Sequence, residues 1–233
     1  MATELPVPVV LSPVTHNRHF STDYRYILYR RLKLVDTVPS NSIPLGAYDA
    51  WTPRQFLSPS PIALRGYFQY LPAIQQVLPR ILDDIVETLS VQRDILRTKY
   101  SLTNLHTVGF IHVRRGDYLN TSPDLHWVQG KDYYIRALAS QPSVSRWLVL
   151  SDDINWCKKQ SFLSSCEIVD EPNELAGLSL MSLCRGGAII ANSTYSWWGA
   201  MLGAEDARAP VVYPSKWYGY EKPDLFPNSW TCI

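Results

Sequence analysis

One stretch decides the predicted fold: Thr107-Val108-Gly109-Phe110-Ile111-His112-Val113-Arg114-Arg115-Gly116-Asp117-Tyr118. It begins as a short apolar strand, and two arginines, a glycine and a carboxylate follow where that strand ends. Arginine keeps its charge at physiological pH, and its planar fork of donors matches phosphate oxygens. Because ligands of open α/β sheets bind at the carboxyl ends of the strands, the stretch predicts a diphosphate site at Arg114 and Arg115.

Asp117 has two interpretations. In a ligand site it orients a guanidinium or contacts a sugar, whereas without a ligand it forms a structural ion pair with one arginine. Arg115-Gly116-Asp117 is also the RGD tripeptide of adhesion proteins. Because the tripeptide follows a buried strand, we interpret that match as incidental.

The sequence after residue 106 alternates between strands and helices. The predicted strands are Val108–Val113, Trp147–Ser151, Glu167–Val169, Ala188–Ala191 and Val211–Tyr213. The predicted helices are Lys131–Ser140, Ile154–Phe162, Asn173–Cys184 and Ser196–Glu205. Because this alternation is typical of βαβ units, we predict an α/β fold with a Rossmann-like, doubly wound parallel sheet over residues 107–233.

The first hundred residues have a different pattern. Proline is dense from Val38 to Pro72, which predicts irregular or extended structure through Tyr48–Ser60. From Pro72 to Arg97 apolar residues recur at helical spacing, and we expect Pro79 to kink or divide that helix.

Two further motifs follow predicted strands. Ser151-Asp152-Asp153 offers carboxylates that can accept from a guanine or a ribose, and the alternative is an N-cap for the helix that begins near Ile154. Asn192-Ser193-Thr194 leads onto the amino end of a helix, where N–H groups and hydroxyls make an anion site. Helix capping is again the alternative. We interpret Trp197 and Trp198, which come next, as mainly structural.

Composition excludes several partners. The net charge of +1 gives no overall field for nucleic acid or membranes, and we interpret the basic stretch Arg25–Lys33 as a solvated helix face. No apolar segment is long enough to cross a bilayer, and prolines interrupt the apolar start Met1–Val14. We therefore expect no nucleic-acid partner, no integral membrane segment, no signal peptide and a cytoplasmic location of bacterial or viral type.

The cysteines show no metal-ligand spacing, which predicts buried, reduced thiols. They are Cys157, Cys166, Cys184 and Cys232. Glycosylation sequons occur at Asn120 and Asn192, and a glycan on Asn192 would obstruct the anion site. That position favours a compartment without N-glycosylation.

The strand-end motifs occur in a fixed order with several smaller matches. The smaller matches are Gly66–Gln69, Asp132–Tyr134, Leu180–Cys184, Pro214–Tyr218 and Pro227–Trp230. As an ordered set over residues 62–233, all of them resemble the α-1,2-fucosyltransferase family, glycosyltransferase family 11.

The resemblance implies a GT-B-like fold, GDP-fucose as the donor, no metal cofactor and transfer with inversion to a galactose 2-hydroxyl. It implies that the two arginines hold the diphosphate, that the histidine and one aspartate lie near guanine, and that Ser193 and Thr194 meet the phosphate from the other side. The residues implied for catalysis are Arg115 and Asp117, and those for donor binding are His112, Arg114, Arg115, Asp152, Asp153, Asn192, Ser193 and Thr194.

Inversion requires a group that takes the acceptor proton, and Asp117 is the nearby carboxylate for that role. Its orienting role remains open, as does an oxocarbenium-like path with little help from a base. Two other functions also remain: transfer of another 6-deoxyhexose from GDP, and binding of a GDP-sugar without catalysis.

One departure from the family pattern concerns the amino-terminal part. Family members open with a strand and a Gly-Gly-Leu-Gly-Asn-Gln-Met-Phe segment, and no such segment precedes Gly66. We therefore expect residues 1–106 to form an abbreviated acceptor-side region with a bridging helix, and residues 107–233 to form the donor-binding domain. The sequence specifies no oligomeric state.

Overall fold

The computed structural model describes residues 69–121, 126–203, 209–218 and 224–233, together with the backbone of four short strands nearer the amino terminus. The chain divides into two compact units, Met1–Thr88 and Leu89–Ile233. The predicted domain boundary after residue 106 stays a prediction.

The first unit contains two pairs of short parallel strands. β1 (Val10–Leu11) pairs with β2 (Lys33–Leu34), and β3 (Ile43–Gly46) pairs with β4 (Ile62–Arg65). The second pair lies in the proline-dense segment that predicts extended structure. The predicted irregular segment Tyr48–Ser60 lies outside the described residues, as does most of the basic stretch.

Helix α1 (Leu71–Lys99) confirms the predicted helix and extends it at both ends. Pro79 lies inside it and does not divide it, and the alternative expectation of a kink stays a prediction. A proline removes a single N–H donor, and the turns on either side keep their own hydrogen bonds. The 29-residue element therefore continues through Pro79.

A six-stranded parallel sheet forms the centre of the second unit. Its strands are β5 (Val108–Val113), β6 (Arg146–Ser151), β7 (Glu167–Ile168), β8 (Gly187–Ile189), β9 (Val211–Tyr213) and β10 (Thr231–Cys232). The order is β10-β9-β8-β5-β6-β7. The chain thus winds outward from β5 in one direction through β6 and β7, and then from β8 in the other. This doubly wound order confirms the predicted α/β fold and its parallel sheet.

Four helices of this unit connect the strands. They are α2 (Lys131–Ala139), α3 (Ile154–Lys158), α4 (Glu174–Leu183) and α5 (Thr194–Gly203). The predicted helix over 154–162 is instead α3 followed by a separate 3₁₀ turn, Ser161–Leu163. Strand β5 is buried along its whole length, as expected for the central strand of a parallel sheet.

Two sequence predictions about buried residues differ in outcome. Trp197 is fully buried and its indole N–H donates to the carbonyl of Leu225 at 2.9 Å, which confirms a structural role. All the cysteines are free; Cys157 and Cys184 are buried as predicted, but Cys232 is exposed. Cys232 differs because it lies on β10, at the edge of the sheet.

Over the described part of the chain, no helix has both the length and the apolar character needed to cross a membrane.

Candidate functional site

The predicted motifs meet where the order of the strands reverses. β5 and β8 are neighbours, with Ile111 opposite Ile189, so the chain leaves both strands at the same edge. At this point adjacent crossover connections run to opposite sides of the sheet and leave a crevice. The Arg114-Arg115 pair follows β5, and the Asn192–Thr194 segment follows β8.

Arg114 lies between two carboxylates. Its Nη2 is 2.7 Å from Asp117 Oδ1, and its Nη1 is 3.0 Å from Asp152 Oδ2. The guanidinium carbon also lies 5.3 Å from the centre of the Tyr118 ring. This geometry confirms the ion pair with Asp117. Because each terminal nitrogen carries two hydrogens, the guanidinium keeps donors for a further anion.

Arg115 points toward α3. Its Nε donates to Asp153 Oδ2 at 3.1 Å, and its guanidinium carbon lies 4.2 Å from the centre of the Trp156 ring. The backbone N–H of Arg115 donates to Asp152 Oδ1 at 2.8 Å. The two arginines are therefore held in different directions by the same aspartate pair.

The capping alternative is confirmed for one aspartate, and contact of either aspartate with a guanine or a ribose stays a prediction. Asp153 is the N-cap of α3, where its Oδ1 accepts from the N–H of Trp156 at 3.0 Å. Asp152 instead bridges both arginines. Gly116 allows this approach, because a Cβ at that position would lie 2.6 Å from Asp152 Oδ2.

Asn192 is buried, with 1 % of its surface exposed. Its Nδ2 donates to the carbonyls of Trp127 and Trp217, both at 2.8 Å. Its backbone carbonyl accepts from the hydroxyl of Tyr118 at 3.1 Å. Burial raises the pKa of Tyr118 to about 12, so this hydroxyl remains a donor at neutral pH. A glycan on Asn192 would replace one Nδ2 hydrogen and so break at least one of these bonds.

Ser193 and Thr194 lie at the amino end of α5 and are partly exposed. The Ser193 carbonyl accepts from the N–H of Trp197 at 3.1 Å. The helix has ten residues, and its first N–H groups have no partner within the helix. The local structure is therefore the one that the anion-site prediction requires, and the phosphate contact itself stays a prediction.

His112 lies inside the unit, with 4 % of its surface exposed. Its ring contacts Tyr195 edge to face at 5.5 Å, and its Nδ1 is buried without a hydrogen-bond partner among the described residues. Burial, together with the positive charge of Arg114, lowers the pKa of His112 to about 3. The imidazole is therefore neutral at physiological pH, and its contact with guanine stays a prediction.

Sequence reasoning missed several neighbours of these residues. His126 stacks on Tyr118 with 4.4 Å between ring centres, and Trp127 lies under the ammonium of Lys216, whose Nζ is 3.8 Å from the ring centre. The many tryptophans in the sequence were the available signal, but composition does not indicate which of them lie beside the site.

A doubly wound α/β domain with paired arginines and a helix amino end flanking its switch point belongs to the class of Rossmann-like domains. The sequence model described as "Glycosyl transferase family 11" matches residues 46–232. The chain therefore belongs to glycosyl transferase family 11, as the motifs predicted.

Three relatives are similar to this chain. The O-antigen biosynthesis glycosyltransferase WbnK of Escherichia coli is 37 % identical over 64 % of this chain and 54 % of its own length. An alpha-1,2-colitosyltransferase of Escherichia coli is 34 % identical over 53 % of this chain and 46 % of its own. The galactoside 2-alpha-L-fucosyltransferase Sec1 of Mus musculus is 31 % identical over 41 % of this chain and 28 % of its own length.

The chain spans about half the length of the bacterial relatives that it matches. No solved structure matches it significantly.

Proposed function

We propose that the chain is a metal-independent, inverting glycosyltransferase that moves L-fucose from GDP-fucose to the 2-hydroxyl of a galactose. Family membership supports glycosyl transfer, and the name of the mouse relative supports fucose and a galactoside. The observation that carries the proposal is the placement of Arg114, Arg115 and the amino end of α5 around the β5–β8 crevice.

The arginines support metal independence. A diphosphate leaving group gains negative charge as its bond to the sugar breaks, and fixed positive groups stabilise that charge. Arg114 and Arg115 supply two guanidiniums, and α5 supplies N–H donors from the opposite side of the crevice. In this proposal the guanosine of the donor lies near Asp152 and Asp153, which follow β6. The sugar at the other end of the donor then lies toward β8.

In the proposed reaction, the galactose 2-oxygen attacks the anomeric carbon of fucose on the face opposite the diphosphate. The bond from that carbon to the β-phosphate oxygen breaks, and GDP leaves with the electron pair. The hydroxyl proton passes either to Asp117 or to water. The ion pair with Arg114 favours an orienting role for Asp117, because one of its oxygens lies 2.7 Å from the guanidinium.

A second donor is supported by the bacterial relative whose name specifies colitosyl transfer. The same arginines and helix end can bind any GDP-sugar, because in this proposal they contact the diphosphate and not the hexose. A binding protein without catalysis is the remaining alternative from the sequence.

The test is a transfer assay with GDP-fucose and methyl β-galactoside in excess EDTA, with the product analysed by NMR. We expect release of GDP and formation of an α-1,2 linkage without added metal. A strict requirement for a divalent cation, or retention of the donor configuration, would contradict the proposal. GDP-colitose in the same assay determines the donor, and tight GDP-fucose binding without transfer to any galactoside identifies the non-catalytic alternative.

Asp117→Asn tests the two roles of that carboxylate. Loss of a general base lowers kcat by roughly 100-fold or more, whereas loss of an orienting group affects donor binding and kcat together. Donor dissociation constants, measured beside single-turnover rates at saturating donor, separate the two results.

A further inference from the structure

We infer that Trp127 binds the acceptor galactose by stacking on the apolar face of its ring, and that it thereby determines acceptor specificity. The inference rests on the proposed function, because it requires a sugar acceptor at the same edge of the sheet. Neither the family match nor the names of the relatives assign a role to this residue.

Exposure distinguishes Trp127 from the other tryptophans of the described residues. Its exposed fraction is 37 %, and it is the only aromatic residue among the large exposed hydrophobic side chains of the described part of the chain. The other described tryptophans are buried or half-buried. An exposed indole beside polar groups is the kind of surface that a sugar ring can cover.

Hydrogen bonds place Trp127 at the predicted site. Its carbonyl accepts from Asn192 Nδ2 at 2.8 Å, and Asn192 directly precedes Ser193 and the amino end of α5. The preceding residue, His126, stacks on Tyr118, which is adjacent in sequence to Asp117. Trp127 is thus connected to both sides of the crevice through its own backbone and its neighbour.

The indole is also held in place before any ligand arrives. The ammonium of Lys216 covers one face of its ring at 3.8 Å, and the Lys216 carbonyl accepts from buried Gln129 Nε2 at 2.8 Å. A ring fixed in this way loses little conformational freedom on binding.

The proposed orientation of the donor favours the acceptor as the sugar that binds at Trp127. The aspartates proposed to face the guanosine follow β6, on the far side of β5, whereas Trp127 is bonded to Asn192 beyond β8. A donor whose diphosphate lies at Arg114 therefore has its sugar end nearer to Trp127 than its guanine. A galactose positioned to attack that sugar lies on the same side.

The experiment compares Trp127→Ala, Trp127→Phe and the control Ile135→Ala, an exposed apolar residue on α2 of the same unit. Trp127→Ala keeps the carbonyl to which Asn192 donates, so we expect an unchanged melting temperature. KM for methyl β-galactoside should rise at least about ten-fold in Trp127→Ala, recover mostly in Trp127→Phe and stay unchanged in Ile135→Ala. The dissociation constants of GDP and GDP-fucose should not change.

Saturation-transfer NMR with methyl β-galactoside and no donor provides a readout independent of transfer. We expect a signal in the wild type that Trp127→Ala abolishes. Equal signals in both proteins, or weaker binding of GDP-fucose with an unchanged acceptor KM, would overturn the inference. If the wild type transfers no sugar but shows a galactoside signal that depends on Trp127, the proposed transfer fails, whereas galactoside binding at Trp127 is supported.

Discussion

The carboxyl end of β5 is charged, partly exposed and ion-paired, whereas the carboxyl end of β8 is neutral, buried and held by hydrogen bonds. At β5, Arg114 is shared between two carboxylates whose side chains remain partly exposed. At β8, Asn192 uses both hydrogens of its side-chain amide on backbone carbonyls. The two ends face the same crevice and are stabilised by different forces.

The difference separates ligand binding from positioning. Partly exposed ion pairs contribute little to stability, so a phosphate can replace a carboxylate beside an arginine at small cost. Buried hydrogen bonds cost much more to break, because the remaining partner loses its donor away from water. We therefore expect substitutions near β5 to change donor affinity and substitutions near β8 to change stability.

The largest effect is expected from Asn192→Ala. It leaves the carbonyls of Trp127 and Trp217 without this donor. The loss at the buried Trp217 carbonyl costs about 1–3 kcal/mol of unfolding free energy, and the loss of the part-buried bond to the Trp127 carbonyl adds a smaller amount. Urea denaturation measures the loss, and the exposed Asn228→Ala is the control. A loss no larger than that of the control would show that the β8 end is not held by these bonds.

Arg115→Ala should weaken GDP-fucose binding by roughly 10- to 100-fold, since a charge-assisted hydrogen bond contributes about 1.5–3 kcal/mol. The matched control is Arg146→Ala. Arg146 is also ion-paired, with Glu167 at 2.6 Å, but it begins β6 at the opposite edge of the sheet. Calorimetric titration in EDTA compares the two variants, and equal losses would contradict a site at the carboxyl edge.

His112 makes the protein sensitive to acid. The folded-state pKa of about 3 lies below the ordinary 6.5, so the unfolded chain binds a proton that the folded chain does not. This contribution to stability is complete above pH 6.5 and falls by roughly 1.4 kcal/mol per pH unit as the pH drops from 6.5 toward 3. His112→Gln should remove that slope from unfolding curves measured between pH 6.5 and 4. The exposed His106→Gln serves as control, and identical slopes in all three proteins would refute the assignment.

The smallest effect is expected from Gly116→Ala. The added Cβ would lie 2.6 Å from Asp152 Oδ2, so the aspartate must move away from both arginines. GDP affinity should fall a few-fold, equivalent to about 1 kcal/mol. Gly130→Ala is the control, because no atom lies within 4 Å of its added Cβ. Unchanged GDP affinity in Gly116→Ala would mean that the bridging position of Asp152 does not matter for binding.

Local sequence signals were sufficient for the strands and caps of the charged end. The bounds of β5 were predicted because an apolar run stops at two arginines, and a cap at Asp152 or Asp153 was predicted because the two residues precede a helical pattern. Both signals act within a few residues of the chain. The divided helix after Asp153 was missed because its last turn is a 3₁₀ turn, which the helical pattern does not distinguish.

Contacts distant in sequence could not be predicted in the same way. Asn192 bonds to Trp127 and Trp217, which are 65 and 25 residues away. Strand β10 has two exposed residues and no apolar run to indicate it. The motif signalled that Asn192 is important, but its burial and its positioning role depend on folded neighbours.

Hydrogen–deuterium exchange with and without GDP, in EDTA, tests most directly whether the crevice between β5 and β8 binds a diphosphate. We predict that GDP slows exchange of the amides of residues 114–118 and of residues 193–196. The amides of residues 103–107, at the opposite edge of the sheet, should exchange at the same rate in both states. Protection at that opposite edge, or at neither segment of the crevice while GDP is bound, would contradict the account.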